Sequence, residues 1–154
     1  MERIALLYDS VLDFGGVENH ILSILTKGEQ SRFKYLIFSN VSPRFADLIM
    51  ELGVEIIPIP RRHPLNPLTI LQLYRGLREK KIDLVHAHSP TSALWGRIAA
   101  YLVNIPAVVT VHLPVSRYHG DLKRPRSVFG RRVYRGLDRW LNHHSRFTKK
   151  IIYV

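Results

Sequence analysis

The sequence predicts an α/β protein built on a Rossmann-like, open, mostly parallel sheet with helices on both faces. Two observations lead there. Short runs rich in Ile and Val recur without polar alternation, as strands buried on both faces do, and stretches of helical spacing lie between them. Strands alternating with helices through short loops imply right-handed βαβ crossovers. The size permits such a sheet: a chain of 154 residues, 46% hydrophobic and 23% charged, buries roughly 70% of its unfolded surface and needs no staples. The whole of 1–154 reads as one domain, with no internal repeat and no linker.

Taken in order, residues 4–8, 35–38, 54–59, 82–86, 107–111 and 151–154 are the apolar runs expected as strands. A first helix is expected over 17–26, with Val17, Ile21, Ile24 and Leu25 on one side. A second runs over 45–52 after Pro43 and stops at Gly53, a C-terminal glycine. Asn66 and Pro67, a cap followed by a first-turn proline, open a third with Ile70, Leu73, Tyr74 and Leu77 inward. Ser89 and Pro90 open an Ala-rich fourth over 89–102. The sixth strand ends with the chain, the pattern expected of an interrupted longer protein.

Composition excludes several classes. There is no cysteine, hence no disulfide scaffold, Cys-ligated zinc or thiol catalysis. No apolar run approaches the roughly 18 residues of a membrane span, and the apolar stretch after Met1 is too short for a signal-peptide core. The net charge is +11. Residues 1–116 hold 12 basic and 10 acidic side chains, whereas 117–150 hold 11 basic against Asp121 and Asp138 alone. Attraction to an anionic partner is therefore concentrated in the last third; the competing reading is a solvated basic face.

Ligands of an open parallel sheet sit beyond the carboxyl ends of its strands, and three such ends carry chemistry. After the first strand, Asp13-Phe14-Gly15-Gly16-Val17-Glu18-Asn19-His20 places two glycines before a helix, where free N–H groups suit a phosphate. A turn alone would explain the glycines too. Glu18 fits a first-turn carboxylate, and His20 either a ligand contact or a packing group. The dinucleotide fingerprint Gly-x-Gly-x-x-Gly and the Walker lysine are absent. After the fourth strand, alternation puts His86 and His88 on one face; two histidines without a third ligand from elsewhere are too few for a metal, so they read as a polar crevice wall with His88 nearest the opening. After the fifth, His112 in Thr110-Val111-His112 stands at the sheet's lip, placed to take a proton or to hydrogen-bond a developing charge, or as a core histidine bonded to a carbonyl.

In this order and spacing, Gly15-Gly16-Val17-Glu18-Asn19-His20, Asp83-Leu84-Val85-His86-Ala87-His88-Ser89 and Val109-Thr110-Val111-His112 resemble the N-terminal domain of glycosyltransferase family 4. The resemblance covers nearly the whole chain and implies one half of a GT-B fold: two Rossmann-like domains facing a cleft, the first receiving the acceptor and the second a nucleotide sugar, with retention at the anomeric carbon and no metal cofactor. It implies that Gly15 and Gly16 offer N–H groups to the donor diphosphate, that His112 lies by the transferred sugar and leaving phosphate, and that His20 and His88 line the acceptor side. Nothing in 1–154 resembles the C-terminal, donor-binding domain, so the chain alone is expected to have little transferase activity and to need that domain from the same gene or a partner chain.

The basic segment fits this setting. Apolar residues recur at Phe129, Val133, Leu137 and Leu141, and Arg131, Arg135 and Arg139 form a separate stripe with Arg132 beside it; Arg124 and Arg126 lie in a polar stretch just before. An anionic leaflet would attract such a patch by about 1 kcal/mol per charge, as suits a lipid-linked or cell-envelope acceptor and a cytoplasmic protein peripheral to the inner face of the membrane. Trp95 and Trp140 read as core or rim packing. The rival class is a basic module binding nucleic acid or an anionic membrane without catalysis, given a pI of about 10.3; no nucleic-acid motif supports a nucleic-acid partner.

Overall fold

The computed structural model describes residues 1–9, 15–59, 66–112, 136–137, 139–141, 143, 148 and 150–153. Strands β1 (Glu2–Leu7), β2 (Phe33–Phe38), β3 (Glu55–Ile57), β4 (Leu84–Ala87), β5 (Ala107–Val111) and β6 (Lys150–Tyr153) alternate with helices α1 (Gly16–Lys27), α2 (Pro43–Glu51), α3 (Pro67–Glu79) and α4 (Pro90–Val103). The sheet has the order β3-β2-β1-β4-β5-β6, and every pairing is parallel. The predicted open parallel sheet is thus the observed one. Its order reverses at β1: β2 leaves on one side and β4 on the other, which opens a crevice at the carboxyl ends between them.

Period-two alternation sorts the core into two layers. Ile4, Leu6, Tyr8 and Ile37 pack with Ile21 and Leu25 of α1 and Phe45 and Ile49 of α2. Ala5, Leu7, Leu36, Phe38, Val85, Ala87 and Val109 pack on the other face with Leu73 and Leu77 of α3 and with Ala93, Leu94 and Trp95 of α4. The helices begin where the caps predict. Ser42 Oγ accepts from Phe45 N at 3.4 Å, Asn66 Oδ1 from Leu68 N at 2.9 Å and Ser89 Oγ from Ser92 N at 3.3 Å, each followed by a proline that fits the first turn. Gly53 (φ +69°) and Asn104 (φ +64°) follow α2 and α4 in the left-handed conformation that ends helices.

Most boundaries shift by one or two residues, β1 and β2 each starting two residues earlier than expected, and three shifts are instructive. β3 is three residues long instead of spanning 54–59, because it pairs only with Leu36–Phe38 of β2 and has a free outer edge. β4 starts at Leu84, not at 82: the Asp83 carboxylate accepts from Arg3 N at 2.8 Å, taking the place of a ladder bond. β6 begins one residue early, at Lys150. Of the C-terminal stripe, Leu141 is fully buried and Leu137 packs against the α3/α4 layer. Arg139 is exposed; Trp95 lies in the core and Trp140 at the rim, half exposed. Arg124, Arg126, Arg131, Arg132 and Arg135 lie outside the described residues. Among the described residues, no helix is long and apolar enough to cross a membrane.

α4 meets the sheet through Gly96, where an added Cβ would lie 3.0 Å from Leu7 Cδ2 and 3.2 Å from Val85 Cγ1. Gly96→Val is therefore expected to lower stability by about 1–3 kcal/mol through overpacking. Urea unfolding checks it, as a lower midpoint at unchanged slope.

Candidate functional site

The crevice takes one wall from the start of α1. Gly15 is extended and has no side chain to cap the helix; instead the Glu18 carboxylate reaches back and accepts from Gly15 N at 3.0 Å. Glu18 is therefore a helix-start carboxylate, as its position suggested. Gly16 is exposed, and a Cβ built on it would meet nothing within 4 Å. The fold itself leaves this part of the backbone open to an approaching group.

One turn on, His20 points at the ends of β4 and β5. Its ring centroid lies 4.9 Å from that of His112 and 5.4 Å from that of His88. His88 and His112 are 5.8 Å apart, and His86 lies against His88 at 4.0 Å. Strand alternation explains the grouping: Leu84, His86 and His88 face α1, and so do Thr110 and His112 on the neighbouring strand. His86 Nε2 and Thr110 Oγ1 share a hydrogen bond of 2.7 Å. A nitrogen from each of His20, His88 and His112 lies within 4.8 Å of the other two.

The electrostatics follow from burial. Desolvation, and then the nearness of His20 and His112, depress His86 to about 4. Burial first, and then the surrounding imidazoles, push His88 well below the ordinary histidine value. His112 is lowered by burial and His20, with the Glu18 carboxylate opposing. These three rings are thus neutral near pH 7, each with one N–H and one lone pair. Among the described residues, both ring nitrogens of His88 and Nε2 of His112 are buried without a hydrogen-bond partner, a state that costs on the order of 1–3 kcal/mol per group. Neutral imidazoles so held are suited to donate to an anion, accept a hydroxyl proton, or ligate a metal.

A sequence profile of Glycosyltransferase Family 4 matches residues 14–154. The chain belongs to glycosyltransferase family 4. Over 45 residues it is 47% identical to the Escherichia coli UDP-Gal:alpha-D-GlcNAc-diphosphoundecaprenol alpha-1,3-galactosyltransferase, a stretch covering 29% of this chain and 12% of that enzyme. Anabaena HepE in complex with UDP and glucose superposes with a TM-score of 0.67 at 20% identity, over 98% of this chain and 37% of its own. Acinetobacter baumannii MurG gives 0.56 at 19% identity, over 72% and 34%. Likeness at these identities concerns the fold, and these neighbours are GT-B glycosyltransferases. The family-4 chain spans about a third of the length of these solved neighbours.

Within this family-4 domain, His20, His88 and His112 meet in one crevice, with Gly15 and Gly16 one helical turn from His20, where the three motifs were expected to converge. One expectation is corrected: His88 is not nearest the opening. It is 1% exposed, because its N–H donates to Leu7 O at 2.8 Å and the partly buried rings of His20 and His112 cover it. It forms the floor. Sequence reasoning gave Thr110 no role, although its place two residues before His112 puts it beside His86. Nor did it foresee the recess across β1, lined by Tyr8, Asp9, Asn40, Ile59, Ser92 and Trp95.

Because the unfolded chain's histidines protonate near pH 6.5 and these are held lower, the unfolded state binds more protons below that pH. Stability is therefore complete above about 6.5 and falls as pH drops toward 4, where His86 titrates. His86 alone accounts for on the order of 3 kcal/mol. Denaturant unfolding between pH 7 and 4, with the imidazole resonances followed by NMR, tests both the direction and the window.

Proposed function

We propose that this chain is the N-terminal, acceptor-side domain of a retaining glycosyltransferase, working against a C-terminal domain that binds the nucleotide-diphosphate sugar, encoded in the same gene or carried by a partner chain. The observation that carries the reading is the meeting of His20 and His112 at the crevice rim, one helical turn from the open backbone of Gly16, in a family-4 chain. In this reading the backbone N–H at Gly16 receives the donor diphosphate, a charge–dipole contact contributing about 0.3–1 kcal/mol, while Gly15, whose own N–H is taken by Glu18, lines the approach without donating. His112 orients the sugar and leaving phosphate or relays the proton between acceptor and leaving group. His20 faces the acceptor, and His88 beneath both holds them in place.

The acceptor hydroxyl oxygen bonds to the anomeric carbon on the face from which the diphosphate departs, the carbon–phosphate-oxygen bond breaks, and the hydroxyl proton passes to the leaving phosphate. Stabilisation of the developing negative charge and positioning do the catalysis, without a covalent enzyme intermediate or a metal cofactor. With the donor domain supplied, His112→Ala is expected to lower turnover by about 100-fold or more. Sugar transfer from the nucleotide donor, measured at saturating substrates, checks it; unchanged turnover would remove His112 from the mechanism. The chain without that domain is expected to transfer little sugar.

A lipid-linked or cell-envelope glycan acceptor, met by a cytoplasmic protein peripheral on the inner membrane face, is supported by the E. coli relative's diphosphoundecaprenol substrate and by the basic run that includes Arg124, Arg126, Arg131, Arg132, Arg135 and exposed Arg139. Sedimentation with vesicles is expected to show binding to anionic but not neutral lipid, weakened about fivefold by each Arg→Gln change in the patch. Preference for oligonucleotides over anionic vesicles at equal ionic strength would favour a nucleic-acid module instead.

A further inference from the structure

The outer stripe of α3 differs in chemistry between its two ends. Leu68 and Leu71 are 50% and 41% exposed, and helical spacing sets them on one face with Arg75 and Arg78, which are exposed too. A single exposed leucine needs no explanation. Two on one turn, continued by two arginines, make an apolar tip on a basic stem. Arg78 is held in place there, its Nη1 donating to the Tyr74 hydroxyl at 2.8 Å with the guanidinium over the Tyr74 ring. α3 carries one acid, Glu79, at its last position. The opposite layer gives the contrast: exposed Met50 shares α2 with exposed Asp47 and Glu51.

We propose that the α3 stripe docks the domain on an anionic lipid bilayer, Leu68 and Leu71 entering the acyl boundary and Arg75 and Arg78 binding lipid phosphates. Charge decides the occupant: basic residues behind apolar ones suit an anionic leaflet, which would repel the acids of α2. Leu71 and Arg78 lie about 10 Å apart along the helix axis, close to the depth to which an interfacial helix sinks, so α3 enters tilted and tip first. Because α3 follows β3, its first turn stands at the carboxyl edge of the sheet. Docking therefore turns the crevice edge toward the lipid. The C-terminal segment lies on the same layer, with Leu137 and Leu141 packed into its core and Arg139 and Trp140 exposed. The inference rests on the peripheral-membrane reading above and adds which surface meets the lipid and how the domain is tilted.

The test is flotation of the intact chain with vesicles of equimolar phosphatidylcholine and phosphatidylglycerol, beside vesicles of phosphatidylcholine alone. Leu68→Gln combined with Leu71→Gln is expected to weaken binding to the anionic vesicles about tenfold or more. Arg75→Gln combined with Arg78→Gln should weaken it about 25-fold, roughly fivefold for each charge, and flatten its salt dependence. Met50→Gln should leave it unchanged. The far-ultraviolet dichroism should not move in any of these, since every altered side chain is exposed. In Leu71→Trp, lipid brominated in the upper acyl chain should quench fluorescence beyond the level due to Trp95 and Trp140. Binding that survives both paired substitutions, or a Trp at position 71 that brominated lipid fails to reach, would overturn the α3 surface and leave the membrane reading standing. Failure of the parent chain to bind anionic vesicles would end both. Preference for an oligonucleotide, or a dimer abolished by the leucine changes, would overturn the inference in favour of a nucleic acid or a second copy of the chain.

Discussion

The parallel sheet imposes one constraint from which the rest follows: every strand delivers its carboxyl end to the same edge. With β1 in the middle and its neighbours departing in opposite directions, that edge splits into a crevice beside β1 and β4. The start of α1 and the ends of β4 and β5 converge there without any long loop to bring them together. Helix dipole, open glycine backbone and four imidazoles share one crevice because the topology has nowhere else to put them.

Much of this was legible in the chain itself. Runs such as Ile4–Tyr8, apolar or aromatic on successive residues, read as strands covered on both sides, and Ser42-Pro43, Asn66-Pro67 and Ser89-Pro90 announce helix starts through their caps. The convergence of Gly16, His20, His88 and His112 follows once the strands are taken as parallel. What the sequence does not carry is depth along the crevice axis. His88 lies next to a helix cap, which suggests exposure, yet its backbone bond to Leu7 draws it under the rings of two residues distant in sequence. Period two fixes which face a side chain takes, and not what lies over it. The short β3 and the late start of β4 were likewise set by partners, one by the free edge of the sheet and the other by Asp83 reaching Arg3 across the chain.

Among the described residues, His88 and His112 break the rule that buried polar groups find partners, and such breaks concentrate where a protein does chemistry. An imidazole in this setting cannot readily take a proton, because desolvation and its neighbours oppose the charge. It keeps its lone pair at neutral pH, and the crevice floor stays uncharged beneath a strongly basic chain. Positive potential at the rim therefore comes from the helix start and from arginines and lysines elsewhere, not from His86, His88 or His112.

Two helices open beside the end of β1, and their beginnings are built differently. In α4, Pro90 brings no amide hydrogen, Ser89 consumes that of Ser92, and the Ser92 hydroxyl is spent on Leu7 O while Ser89 Oγ also receives Asp9 N. That terminus is stitched shut against the strand. In α1 no hydroxyl or proline intervenes, and Glu18 reaches only as far back as Gly15. Side by side, then, lie a helix start sewn to its strand and one where, among the described residues, bare backbone at Gly16 faces open space.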